Sequence, residues 1–110
     1  MSLDPVVTDP DNYKVVFEND YVRVLEYNDH PGHKGTLHEH PNSVMYTLGS
    51  FKRRATSDLG QREFEMAAGV VAWLPAQQHV GENIGDTDTR ALFIELKNSI
   101  PDKPTLGPNV

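Results

Sequence analysis

The chain has 110 residues, no cysteine, five histidines and a formal charge of -6 from 16 acidic and 10 basic residues. A single domain of this length buries about two thirds of the surface its unfolded chain exposes, so neither a disulfide nor a structural metal is required merely to fold. The composition excludes a thiol nucleophile, an iron–sulfur cluster and a redox cysteine pair, the acidic balance argues against nucleic-acid binding driven by phosphate neutralisation, and no apolar run approaches the roughly 18 residues that span a bilayer.

In chain order, residues 1–12 carry Asp4, Pro5, Asp9, Pro10 and Asp11 and read as an extended or turn-rich arm. The arm has no charged segment leading into an apolar one, so a cytoplasmic location is expected. From Tyr13 the pattern becomes short alternating runs: Tyr13, Val15 and Phe17, then Val22 and Val24 after the turn-like Asn19-Asp20. Further runs cover residues 43–57, 61–66, 70–74 and 90–97, with Gly, Pro, Asn or Asp between them. Residues 61–68 have a composition that suits a helix, but Phe64 and Met66 alternate with Glu63 and Glu65, which predicts a strand. The expected class is therefore all-β, a sandwich or barrel of eight or nine strands over residues 13–97. Residues 98–110 hold three prolines and little that could join a sheet. This tail is expected to pack on the barrel or on a second subunit, making a homodimer the expected assembly.

His38 and His40 are two apart, which on a strand places both imidazoles on one face. Two neutral imidazoles on a rigid sheet form half of a site for a borderline transition metal; the alternative is a pair of surface hydrogen-bonding side chains. His79 follows 39 residues after His40, behind Gly69 and Pro75, and Asn83 stands four residues beyond it.

These residues resemble the two motifs of the cupin superfamily. Gly32, five residues, then His38-x-His40 match the start of the first, G-x5-H-x-H-x3,4-E-x6-G. Gly69, Pro75, His79 and Asn83 match most of the second, G-x5-P-x-G-x2-H-x3-N. The runs YVRVLEY, GENIGDTDT and LFIELK are similar to small single-domain cupins named for β-alanine degradation. The resemblance implies a jelly-roll barrel of two antiparallel sheets, with a divalent metal (Fe, Zn, Ni or Mn) held by His38, His40 and His79. It also implies a small, carboxylate-bearing substrate. Two departures stand out: Val44 and Met45 occupy the positions of the first motif's glutamate, and the loop from Pro75 to His79 is one residue short, with Gln in place of Gly. A three-His site resembles the iron centres of thiol and diketone dioxygenases, which makes a metalloenzyme the first expectation; the alternative is a binding or sensor module that has lost full metal coordination with the carboxylate.

The remaining polar candidates are Tyr46 and Arg53. If Val44, Tyr46 and Leu48 share the inward face, the Tyr46 hydroxyl approaches a metal-bound substrate; a register shifted by one points Met45 and Thr47 inward instead. An inward Arg53, between Lys52 and Arg54, would suit a substrate carboxylate, against a plain surface position. Glu39 should face away from its flanking histidines, Asn83 should brace the barrel end, and His30 and His33 read as turn residues. Phe17, Val71, Trp73, Leu92, Phe93 and Leu96 are expected to form the core.

Overall fold

In the computed structural model, which describes residues 2–109, two antiparallel sheets face each other across an aromatic and aliphatic core. The arm is not wholly extended. Pro5–Thr8 form a single helical turn, α1, because the Asp4 carboxylate caps the Val6 amide at 3.1 Å and Pro5 supplies a preset φ at the first position.

Nine strands follow: β1 (Tyr13–Glu18), β2 (Val22–Asp29), β3 (His38–His40), β4 (Ser43–Thr47), β5 (Phe51–Ser57), β6 (Gly60–Met66), β7 (Val71–Leu74), β8 (Gln77–Asn83) and β9 (Thr89–Leu96). One sheet has the order β1-β2-β9-β4-β7 and the other β3-β8-β5-β6. Residues 61–66 are a strand, as the alternation predicts, paired with β5 from Phe51↔Met66 to Ser57↔Gly60. The run over residues 43–57 is two strands in different sheets, broken at Leu48 to Ser50. The segment read as a loop before His79 is instead the start of β8. Among the described residues no helix is long and apolar enough to cross a membrane.

The core consists of Tyr13, Leu25, Tyr27, Met45, Phe51, Met66, Ala72, Leu74, Ala91 and Phe93. Of the six expected core residues only Phe93 belongs to it. Phe17 is 53% and Val71 61% exposed, and Trp73, Leu92 and Leu96 are only partly buried. Their strands carry apolar side chains on both faces, so alternation alone does not distinguish inside from outside. The tail packs on its own barrel, where Trp73 and Asn109 exchange backbone hydrogen bonds at 2.7 Å.

Candidate metal centre

β3 and β8 pair so that His38 lies opposite His79 and His40 opposite Gln77. Directly opposed residues share a face, and that face is the barrel interior, so the two-residue period and the cross-strand register together assemble one block of side chains. The three imidazoles have centroids 4.7, 4.8 and 5.1 Å apart. One nitrogen from each lies within 4.8 Å of the others, all three residues are buried, and they are the one such group among the described residues.

The ring orientations follow from the opposite nitrogens. His38 Nδ1 donates to the Thr36 carbonyl at 2.8 Å. Gln77 Nε2 donates to the carbonyls of Pro75 and Thr105, both at 2.9 Å, which fixes its Oε1 as an acceptor. His79 Nδ1 therefore donates to that Oε1 at 2.7 Å. His40 Nδ1 faces Glu95 Oε2 at 3.9 Å, while Arg23 holds Glu95 Oε1 at 2.7 Å. For His38 and His79 such hydrogen bonds on Nδ1 leave the Nε2 lone pairs for a metal. Neither His40 nitrogen nor Glu95 Oε2 has a hydrogen bond. Burial holds the pKa of His38 below, and those of His40 and His79 well below, the usual histidine value, with the neighbouring imidazoles adding to the shifts of the latter two. The set is therefore neutral and available for a cation.

Met45, not Tyr46, faces the cavity beside the histidines. Tyr46 is 37% exposed on the outer face, away from this cavity, because the strand register pairs Met45 with the inward Phe93 and Tyr46 with the outward Leu92. Arg53 does point inward and lines the same cavity. Its charge is already matched: Nη1 donates to Asp29 Oδ2 at 2.6 Å and to Thr89 Oγ1 at 2.9 Å, and Nη2 to the Tyr27 hydroxyl at 3.3 Å. Burial alone would raise the Asp29 carboxyl, but the guanidinium holds it below its ordinary value. A Cβ on Gly81 would sit 2.7 Å from Arg53 Nη2, so a side chain there would displace the guanidinium from its present position.

Asn83, fully buried, donates to Asp29 Oδ1 and to the Thr87 carbonyl and accepts from the Gly85 amide, tying the barrel end together. Glu39 faces outward to Gln78 at 3.0 Å. His30 pairs with Asp88 on the surface, and neither it nor His33 joins the buried group.

Three contributors are invisible to motif reading: Gln77, Glu95 and Tyr13. Gln77 stands where the motif has glycine, yet its place two before His79 on one strand was a usable signal. Tyr13 is buried, its phenol is held protonated by desolvation, and its hydroxyl lies 3.4 Å from His38 Nε2. The tail closes the mouth. Gly107 N donates to Gln77 Oε1 at 2.9 Å, Arg62 clamps the carbonyls of Leu106 and Pro108, and Pro108 lines the cavity. What is left is about 40 Å³, room for roughly three waters. A wider groove of about 870 Å³, lined by Ser50, Lys52, Glu65 and Asp86, is open to solvent and contains none of the three histidines.

No protein-family model and no curated protein sequence matches the chain. Among solved structures, it is similar to a cupin domain from Bordetella pertussis, with 24% identity over 77% of this chain and 91% of that one and a TM-score of 0.72. KdgF from Halomonas is similar at 16% identity over 79% and 80% of the two chains, TM-score 0.56. Oxalate decarboxylase from Bacillus subtilis is 30% identical over 69% of this chain but only 22% of its own length, TM-score 0.53. These neighbours establish the fold.

Proposed function

With the cupin barrel as premise, we propose that this protein binds one divalent transition metal through the Nε2 atoms of His38, His40 and His79 and uses it to hold a small carboxylate-bearing metabolite. The observation that carries this reading is His40, a fully buried imidazole with no hydrogen bond on either nitrogen, beside two imidazoles whose Nδ1 atoms are already committed. Leaving such a group unpaired costs about 1–3 kcal/mol, and a metal is the partner that relieves it. Iron, zinc, nickel and manganese all accept a site that includes imidazole. Bound to three neutral ligands, such an ion keeps its full charge and supplies Lewis-acid or oxygen-activating chemistry.

The chain's own residues set the conditions. Phe93, Met45 and Leu74 exclude water, Pro108 limits ligand size, and Tyr13 offers a protonated hydroxyl at the histidines. Arg53 is committed to Asp29, so a ligand carboxylate would go to the metal and not to the guanidinium. The likeness to oxalate decarboxylase is in keeping with a small carboxylate ligand, and an oxygenase-type reaction is the first activity to assay. A second reading, a non-catalytic binding or sensor cupin, draws on the pairing of Arg53 with Asp29, which leaves no free acid–base pair at the cavity.

Elemental analysis of protein purified without chelator or affinity metal tests the proposal. Near one metal per chain is expected in the parent and none in His38→Ala/His40→Ala; trace metal in both overturns it. Oxygen uptake by iron-loaded protein, measured against short carboxylic acids and thiols, separates the enzyme from the sensor.

A further inference from the structure

Two of the three imidazoles have their Nδ1 proton placed by a hydrogen bond, His38 on the Thr36 carbonyl and His79 on Gln77 Oε1. His40 does not. Its Nδ1 faces Glu95 Oε2 at 3.9 Å, too long for a hydrogen bond, and both atoms are buried with no other partner. Three features of the fold aim that carboxylate. β9 reaches His40 through Phe93, whose ring stacks on the imidazole with centroids 5.2 Å and planes 20° apart, and Glu95 follows two residues later on the same inward face. Strand pairing sets Arg23 of β2 directly beside Glu95, where its Nε donates to Oε1 at 2.7 Å. The forked end of the guanidinium goes elsewhere, Nη1 and Nη2 donating to the two Asp4 oxygens, both at 2.9 Å. A two-pronged grip on Glu95 would have occupied both of its oxygens. The single contact leaves Oε2 free, facing the imidazole.

Resting on the reading that the trio binds a metal, we propose that Glu95 is a positioning residue for that centre: its free Oε2 keeps the His40 proton on Nδ1, so that the Nε2 lone pair is bare beside His38 and His79. Arg23 and Asp4 hold the carboxylate in place. When a cation draws on Nε2, an approach of about 1 Å by ring and carboxylate makes a charge-assisted hydrogen bond of about 2.8 Å. A carboxylate behind a ligating histidine orients the ring and raises its basicity. Asp4, Arg23 and Glu95 together leave a single negative charge behind a ligand set that is itself neutral. That charge stands in for the carboxylate whose position in the first motif is held by Val44 and Met45.

Glu95→Gln tests the proposal with little change of shape. Arg23 Nε needs an oxygen acceptor, so the glutamine turns its amide NH2 towards His40 Nδ1; the proton then sits on Nε2 and the ligating lone pair is lost. In metal-free protein at about pH 7.5, where histidines are mostly neutral, long-range proton–nitrogen correlation should show His40 as the Nδ1–H tautomer in the parent and the Nε2–H tautomer in Glu95→Gln. Zinc affinity, read by competition with a chromophoric chelator, should fall roughly 10–100-fold in Glu95→Gln. It should keep the parental value in Glu39→Gln, whose side chain faces outward. A loss of packing alone would lower stability without moving the proton. An Nε2–H tautomer in the parent, or one tautomer shared by parent and Glu95→Gln, overturns the proposal, as does equal zinc affinity in the two. A parent that shows the Nδ1–H tautomer and takes up no zinc overturns the metal reading and not the hold of Glu95 on His40. Should Glu95→Gln fail to fold, the parental tautomer alone decides.

Discussion

The two sheets divide the work. The five-stranded sheet is the more apolar: inward it supplies Tyr13, Leu25, Tyr27, Met45, Ala72, Leu74, Ala91 and Phe93 beside the buried Asp29, Thr89 and Glu95, and outward the cross-strand row of Val24, Ile94 and Val44. The four-stranded sheet adds Phe51, Ala55 and Met66 to the core but is the more polar, with ion pairs outside and His38, His40, Gln77, His79 and Arg53 within. Packing energy thus comes mainly from one wall and ligand chemistry from the other. The unsatisfied buried groups meet where the two walls face each other, at His40 on β3 and Glu95 on β9.

The largest test of this contrast is on the packing wall. Leu25→Ala, at a fully buried position, should cost about 4 kcal/mol through lost burial and a residual cavity, read as a shifted midpoint in urea, while metal stoichiometry is unchanged. Next is acid. The folded chain holds His40 and His79 neutral, and the unfolded chain protonates them near pH 6.5. The metal-free protein should therefore keep its stability above that pH and lose roughly 2–3 kcal/mol by pH 5.5, as the unfolded state binds the extra protons. A denaturation midpoint that is flat between pH 7 and 5.5 would contradict this.

A smaller effect of opposite sign is expected from His40→Leu. Removing two buried unpaired nitrogens that stack on Phe93 at 5.2 Å should raise metal-free stability by about 1 kcal/mol while abolishing metal uptake. Calorimetry of the metal-free variant would check it. Last, Arg54→Ala on the charged exterior should leave both the unfolding midpoint and the assembly state unchanged, because exposed ion pairs contribute little.

The sequence exposes much of the histidine group because strand geometry is local. A two-residue spacing puts His38 and His40 on one face wherever the strand sits, and the motif-like spacing around Gly69, Pro75 and Asn83 marks His79. The same locality hides the rest. Tyr46 and Met45 differ by one position of register, and the choice is made by pairing with β9, nearly 50 residues away. Phe17 and Val71 look like core because a strand in a two-faced apolar sheet carries no mark of which side is inside. Arg53 reads as a surface residue or a ligand clamp until Asp29, 24 positions earlier, is seen to occupy it within the barrel.

Composition and short-range alternation by themselves determined an all-β fold, the absence of thiol chemistry and a pair of imidazoles, His38 and His40, on one face, all consequences of residue type and a period of two, and the resemblance to the cupin motifs added His79. Tertiary structure alone decided what surrounds that trio. Gln77 fixes the tautomer of His79 with the help of the tail, which returns about 30 residues later to set the Thr105 carbonyl on its Nε2 and the Gly107 amide on its Oε1. Glu95 reaches the back of His40 only because β9 lies at the centre of the opposite sheet. Such contacts depend on chain closure over long separations, which no local pattern encodes.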